Sequence, residues 1–254
     1  MNTLFIGHQL IELDSVNSTN TFAIELIKQQ WVNEGMVIWA KEQTQGRGQR
    51  GNQWYTQPNT NLTFSVILKP SVLPLHLQFE LNKIVSLAVA DLLKLLLPSG
   101  IQPFIAIKWP NDIYVFDKKI AGILIETNIR SETITHAVVG IGLNINQTTF
   151  DSEAGNPTSL KLLTAKDFNL KTVLYLLFPF IEARYLQLIT NKYELINNNY
   201  TTLLYWLNTW HFFRHKKEIR KGMITGITVN GLLNIRFENN TTQQFTFQEI
   251  AYIS

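Results

Sequence analysis

The sequence predicts an α+β fold, on three observations. Four apolar runs of helical period and helical length are spread along the chain, at residues 19–30, 77–97, 170–189 and 194–207. Between them stand short runs of strand length, rich in Val, Ile, Leu and Phe, at 36–40, 62–68, 104–108, 113–116, 120–126 and 137–145. From about Phe213 the texture changes to still shorter β-rich runs broken by turn dipeptides.

In chain order, the first helix places Phe22, Ala23, Leu26 and Ile27 on one face, and Asn17, Ser18 and Thr19 are capping residue types at its start. Strands at 36–40 and 62–68 flank a polar, glycine-rich segment that reads as a long flexible loop. The second helix is stopped by Pro98 and Gly100. Of the four strands that follow, the middle pair is joined by Asp117-Lys118-Lys119 and reads as a hairpin. The chain returns to helix at 170–189, with a break or kink expected near Pro179, and at 194–207. In the tail, 223–229 and 232–237 flank Asn230-Gly231, suited to a type I′ hairpin turn, and Asn239-Asn240 makes a second turn before 244–252. These readings divide the chain into a domain over 1–212 and a small β domain over 213–254.

Composition narrows the function classes. The formal charge of +3, from 22 basic and 19 acidic residues, is too small an excess to imply nucleic acid. The one basic, aromatic stretch, His211-Phe212-Phe213-Arg214-His215-Lys216-Lys217, is short and isolated. With no cysteine there is no disulfide framework, no thiolate nucleophile and no thioester-forming transferase mechanism. Residues 1–13 show no basic segment followed by an apolar one, so no secretory signal is expected. The most apolar stretch, 84–97, is interrupted by Asp91 and Lys94 and reads as a buried helix. The five histidines show no metal-ligand spacing, and no metal held by protein ligands alone is expected.

The most informative segment is Gly46-Arg47-Gly48-Gln49-Arg50-Gly51, followed by Trp54. It fits G-x-G-x-x-G but not a dinucleotide fingerprint, because no buried strand precedes it and no apolar helix follows. Two arginines among three glycines can instead gather guanidinium groups and backbone N–H groups around an anion. Taken alone, Arg47 is a solvated loop residue, Lys119 a hairpin-turn charge, Trp109 a packing residue, and Asn144 a strand-end residue that satisfies backbone. What changes the weighting is their company: Asp14-Ser15 with Ser18-Thr19-Asn20, then Gln43, the glycine loop and Trp54. Lys108-Trp109-Pro110-Asn111-Asp112, Lys119-Ile120-Ala121-Gly122-Ile123-Leu124-Ile125-Glu126 and Gly142-Leu143-Asn144-Ile145-Asn146 complete the series.

In order and spacing these motifs resemble the bacterial biotin protein ligases, strongly over residues 12–146 and more weakly in the tail. The resemblance implies a mixed, mainly antiparallel sheet flanked by helices, like the catalytic domain of class II aminoacyl-tRNA synthetases, with a C-terminal SH3-like β-barrel. It implies that biotin is joined to the α-phosphate of ATP, with Mg2+, to give biotinyl-5′-AMP and pyrophosphate. A lysine of a biotin carboxyl carrier protein domain then attacks that anhydride. Bringing a carboxylate to a triphosphate costs on the order of 4 kcal/mol per charge pair at about 4 Å and an effective dielectric near 20. Arg47 and Lys119 are expected to offset that repulsion, with Lys108 and Asp112 beside the reaction centre. Asp112 would position the acceptor lysine, take its proton or help hold magnesium.

The resemblance assigns Ser18, Thr19, Asn20, Gln43, Arg47, Gly48, Gln49, Lys119 and Gly122 to biotin, and Gly46, Arg50, Trp54, Asn111 and Asn144 to ATP. Gln49 and Asn52 stand where many relatives carry arginine, which reduces the charge available to retain the adenylate. Some members begin with a DNA-binding winged helix. Only residues 1–13 precede Asp14-Ser15 here, so neither DNA binding nor repression is expected. A cytoplasmic enzyme with no membrane partner is implied, and a homodimer is compatible with it. The alternative is a lipoate-protein ligase of the same architecture.

Overall fold

The computed structural model describes residues 3–151 and 156–253, without the side chain of Arg50. Seven strands form the larger sheet: β1 (Leu10–Leu13), β2 (Val37–Ala40), β3 (Leu62–Leu68), β4 (Ile105–Lys108), β5 (Asp112–Val115), β6 (Lys118–Arg130) and β7 (Thr133–Leu143). Their order is β1-β2-β3-β7-β6-β5-β4, with only β1 and β2 parallel. The helices are α1 (Thr19–Lys28), α2 (Phe79–Leu96), α3 (Leu160–Thr164), α4 (Leu170–Ile189) and α5 (Tyr193–Thr202).

Because strand side chains alternate between faces, each strand contributes two kinds of residue. Val37 and Trp39, Phe64 and Val66, Ala121 and Ile123, and Val139 and Ile141 belong to one large core with the buried sides of α2 and α4. The intervening positions face the other way. There α1 covers Ile38, Ile67 and Val138 through Ala23 and its neighbours. The rest of that face carries Thr63, Ser65, Gly122, Glu126, Gly140 and Gly142, residues too small or too polar to be core, with Leu124 among them. A helix packs on half of this face, and the other half is the floor of the site.

Three buried or half-buried polar links tie the helices to one another and to the N-terminal segment. Lys83 and Glu80 of α2 are both fully buried, 2.5 Å apart, and Lys83 also donates to Asn197 of α5. Burial raises the Glu80 carboxyl above its usual range. Arg184 of α4 donates to Asp91 of α2 at 2.8 Å. The buried Glu182 carboxylate accepts the backbone N–H groups of Leu4, Phe5 and Ile6 at 2.6, 2.8 and 3.0 Å. By length and composition α4 could cross a membrane. Here Leu174, Leu177, Phe178 and Ile181 bury it in the core.

The C-terminal strands β8 (Trp210–His215), β9 (Glu218–Ile227), β10 (Leu233–Phe237), β11 (Thr242–Phe245) and β12 (Ile250–Ile253) form an antiparallel sheet in the order β11-β10-β9-β8-β12. Its edges β11 and β12 do not pair with each other among the described residues, so the sheet is not a closed barrel. It packs on the same core through Phe213, Ile224, Leu233 and Ile235, and Trp109 Nε1 donates to the Gly231 carbonyl at 2.9 Å.

Several elements depart from the sequence reading. Helix α4 runs through Pro179 without ending. Helix α5 stops at Thr202 because the next residues pair with β4: Ile107 N–H donates to Leu203 O at 2.6 Å and Tyr205 N–H to Ile107 O at 2.9 Å. Strand β1, α3 and β8 carry too few residues of clear period to be read from sequence. The small sheet starts at Trp210, so residue 212 falls inside β8. Ser18 occupies the N-cap of α1 but makes no side-chain cap bond. The turn at Asn230-Gly231 is not type I′: Gly231 has φ +83° but Asn230 is not left-handed. Gly231 N–H donates to Thr228 O, and Thr228 N–H to Leu232 O, giving a three-residue loop with glycine in the left-handed position.

A Cβ at Gly231 would overlap the Phe79 ring of α2 and force a left-handed non-glycine residue. Gly231→Ala is expected to cost about 1–3 kcal/mol, a fall in Tm of roughly 2–12 °C, in a thermal melt. Gly100→Ala, where a Cβ meets open space, serves as the matched control, and equal Tm values for the two variants would contradict this docking.

Candidate active site

Strand register brings distant motifs into one row. Lys108 of β4 pairs with Asp112 of β5, Asp112 with Gly122 of β6, Gly122 with Gly142 of β7, and Gly142 with Thr63 of β3. Residues opposite each other across a sheet share a face, so all five lie on the floor side. The next row on that face is Leu124, Gly140 and Ser65. Over this floor come the start of α1 and the glycine loop.

The loop is hydrogen-bonded to itself through its backbone. Gly48 N–H donates to Asn52 O at 2.7 Å, Trp54 N–H to Gly46 O at 2.9 Å, and Arg47 bridges Gln53. A 3-10 turn over Gln49–Gly51 closes the end. Gly46 is required because a side chain there would strike the Trp54 carbonyl. The loop thereby lays the Trp54 indole on the glycine floor. A Cβ at Gly142 would overlap that ring, and one at Gly122 would stand 2.9 Å from it. The indole Nε1 is buried without a hydrogen-bond partner.

Two cavities meet at Trp54, Asp112 and Lys119, which line both. The first is the more enclosed and is also lined by Ser18, Thr19, Asn20, Gln43, Arg47 and Gly48. Its inner wall is a hydrogen-bonded set. Gln43 Oε1 accepts from Thr19 N–H at 2.8 Å, so a loop side chain caps α1. The Ser65 hydroxyl lies 2.7 Å from Thr19 Oγ1 and 2.6 Å from Asn20 Oδ1. The second cavity is lined by Asn52, Tyr55, Tyr114, Asn144, Phe150 and Asn156 among others. Asn144 Nδ2 donates to Thr158 O at 3.0 Å, while its Oδ1 is a buried acceptor with no partner.

Both candidate anion-binding cations are held by carboxylates. Lys119 Nζ lies 2.7 Å from Asp112 Oδ1 and 5.5 Å from the centre of the Trp54 ring. Arg47 Nη2 lies 2.7 Å from Glu126 Oε2, the same oxygen that accepts from Asn20 Nδ2 at 2.8 Å. Lys108 has no such partner among the described residues. Its Nζ stands 3.3 Å from Tyr114 Oη and against aromatic rings, and burial pulls its pKa below the usual lysine value, with the nearby Asp112 opposing the shift. Burial, followed by the Asp112 charge, pushes the Tyr114 phenol up to about 12.

Not every expected residue lines a cavity. Gly46 lies buried beneath Trp54, Gln49 sits in the 3-10 turn, and Lys108 reaches the second cavity through Tyr114. The Arg50 side chain lies outside the described residues. Asn111 lines the first cavity and also ties β5 to β6, donating to Ile123 O at 2.7 Å. Glu126 and Ser65 were given no role from sequence. Glu126 shares the parity of Gly122 and Leu124 along β6, which is the signal that could have found it. Ser65 is one apolar-strand serine among many, and its place depends on register alone. Among the described residues no group of three or more His, Cys, Asp or Glu side chains is arranged to hold a metal.

Comparison with known proteins settles the lineage. Residues 12–144 match the family described as "Biotin/lipoate A/B protein ligase family". The chain belongs to this family. The "Biotin--[acetyl-CoA-carboxylase] ligase" of Paracoccus denitrificans is 29% identical over 228 residues, 88% of this chain and 92% of that protein. The "Bifunctional ligase/repressor BirA" of Bacillus spizizenii is 34% identical over 151 residues, 59% of this chain but only 45% of the relative. The chain therefore spans under half the length of that relative. Among solved structures, the biotin protein ligase of Aquifex aeolicus in complex with biotin and ATP superposes with a TM-score of 0.78. That match has 26% identity and covers 96% of this chain and 98% of the other.

Two outcomes test this geometry. The emission of Trp54, isolated by subtracting the spectrum of Trp54→Phe, is expected to shift to the red in Gly142→Ala as the indole leaves its floor. An unmoved emission would show that the ring does not rest there. The raised Tyr114 pKa means the folded state keeps a proton that the unfolded chain loses above pH 10. Because burial penalises the phenolate, the group carries no charge cost below pH 10, and folded stability is lost as pH climbs from 10 toward 12. Tyr114→Phe is therefore expected to move the midpoint of alkaline unfolding, followed by circular dichroism, to higher pH.

Proposed function

We propose that this protein is a biotin protein ligase that forms biotinyl-5′-AMP from biotin and ATP and transfers biotin to a lysine of a biotin carboxyl carrier protein domain. The observation that carries this reading is the meeting of two cavities at Trp54, Asp112 and Lys119. An enclosed cavity with amide and hydroxyl groups on its wall suits the ureido ring of biotin. The wider one, with Asn144 and aromatic side chains, suits the nucleotide. A carboxylate reaching out of the first meets the α-phosphate of a ligand in the second beside Lys119. The relatives named above, one of them a structure holding biotin and ATP, support biotin over lipoate.

In this mechanism both site cations exchange protein carboxylates for ligand anions. Arg47 leaves Glu126 and Lys119 leaves Asp112 as carboxylate and triphosphate enter. The biotin carboxylate oxygen attacks the α-phosphorus, the α–β bridging bond breaks, and pyrophosphate departs with that electron pair. The guanidinium fork and ammonium stabilise the charge spread over the phosphoryl oxygens. Asp112, released from Lys119, is then placed to receive the proton of the acceptor lysine as its amine attacks the acyl carbon and expels AMP. Magnesium would arrive with ATP and its bound water, Asp112 being the residue that would hold it, and would supply charge neutralisation at the phosphates. Trp54 and the loop exclude water from the anhydride.

We assign the chain up to the start of β8 to catalysis and the sheet from Trp210 onward to an SH3-like unit, and place the enzyme in the cytoplasm. The biotin set is Ser18, Thr19, Asn20, Gln43 and Gly48 with the two cations, and the nucleotide set is Trp54 and Asn144; Asn111 lines the first cavity and not the nucleotide cavity.

The test is a mass-spectrometric transfer assay with ATP, magnesium and a biotin carrier domain, with biotin or lipoate supplied in parallel. The carrier is expected to gain biotin alone. Arg47→Ala and Lys119→Ala are each expected to lower the rate by about two orders of magnitude, the size of effect seen on removing one charge-stabilising donor. No adenylate and no modification with biotin would sink the reading, and labelling of a lipoyl domain with lipoate would replace it.

A further inference from the structure

Of the three cations at the site, Arg47 and Lys119 are each neutralised by a carboxylate, while Lys108 has no carboxylate partner among the described residues. Its ammonium is surrounded by ring faces: Tyr114 and Tyr252 each at 4.9 Å from Nζ to ring centre, and Tyr205 at 6.0 Å. We propose that these three tyrosines form an aromatic cage that holds Lys108 beside the reaction centre as an unneutralised cation, so that strand β12 of the C-terminal sheet acts as a positioning element for the reaction. The proposal rests on the biotin-ligase reading and extends it to residues outside the motifs.

The cage is built from three separate parts of the chain. Tyr114 comes from β5. Tyr205 is fixed at both ends, its hydroxyl donating to Asp117 Oδ1 at 2.7 Å and its backbone N–H to Ile107 O at 2.9 Å. Tyr252 is wedged against Phe213 at 5.5 Å, Trp206 at 5.4 Å and Tyr205 at 6.3 Å between ring centres. The Tyr252 hydroxyl is buried with no hydrogen-bond partner among the described residues. Side-chain hydrogen bonding therefore does not hold its ring, which is fixed by the neighbouring rings and carries the ammonium on its face.

The physical consequence follows from how the charge is held. A carboxylate cancels a cation's field, and Arg47 and Lys119 must give up their partners before they serve an incoming anion. A ring quadrupole attracts the ammonium without cancelling its charge. Lys108 pairs in register with Asp112. Its standing positive charge lies one strand from the Lys119–Asp112 pair, favours release of Lys119 from Asp112, and draws the triphosphate toward the junction of the two cavities. Tyr205 and Tyr252 touch no ligand in this scheme and act through Lys108.

The test replaces Tyr252 with phenylalanine and then with mono-, di- and trifluorophenylalanine, which weaken the ring's negative face at nearly constant shape. Biotin-dependent ATP–pyrophosphate exchange is the readout. Phenylalanine is expected to keep activity within about threefold, and each added fluorine to lower kcat/KM for ATP, reaching about tenfold, while KM for biotin stays constant. A flat series in an active parent protein overturns the cage. So does a phenylalanine variant as impaired as the trifluoro one, which would assign the role to the hydroxyl. Independently of activity, the Lys108 ε-methylene protons are expected to resonate upfield under the ring currents and to move back in Tyr252→Leu. An unshifted parent resonance overturns the cage whether or not the protein ligates biotin. Absence of biotin-dependent exchange in the parent protein would overturn the ligase reading and the role given to the cage with it.

Discussion

The contact on which the site depends is the Trp54 indole lying on the Gly122–Gly142 cross-strand pair. Neither glycine serves a turn, and neither has a left-handed backbone. Each is needed because a side chain at that point of the sheet would stand in the ring. The ring in turn forms the wall common to both cavities. Loop, sheet and ligand space are thus fitted to one another through missing methyl groups, a constraint of packing density and not of chemistry.

Around that contact, electrostatics is arranged in pairs. Arg47–Glu126 and Lys119–Asp112 keep two cations and two carboxylates at the mouth of the site without a large local charge. Such pairs, partly exposed, contribute little to stability, typically ~0–1 kcal/mol each. They are therefore inexpensive to open when an anionic ligand arrives. The deep Lys83–Glu80 pair behind the sheet is of another kind: it is fully buried, and loss of one partner there would strand a charge in the core. Placement relative to water separates a pair suited to exchange from a pair suited to hold α2 in place.

The small C-terminal sheet is joined to the site by two routes. Trp109, from the same segment as Asp112, donates to the Gly231 carbonyl in the β9–β10 turn. Tyr252 reaches back from β12 to Lys108. The Lys108-Trp109-Pro110-Asn111-Asp112 segment therefore serves both the reaction centre, through Lys108, Asn111 and Asp112, and the docking of the second sheet, through Trp109.

The sequence by itself determined the strands and helices of strong period, the glycine loop, and the set of polar residues gathered at the site. Local periodicity and residue chemistry are carried by neighbours along the chain, so β3, β7, α2 and the motif from Lys119 to Glu126 could be read directly. Tertiary structure alone decided which of these residues meet. Register placed Lys108, Asp112, Gly122, Gly142 and Thr63 in one row, and a slip of one residue would have turned each to the opposite face. It also decided that Ser65 and Glu126 belong to the site, that Gln49 turns away into a 3-10 turn, and that Tyr205 and Tyr252 surround Lys108. These placements depend on pairing between strands tens of residues apart, and no local pattern encodes that separation.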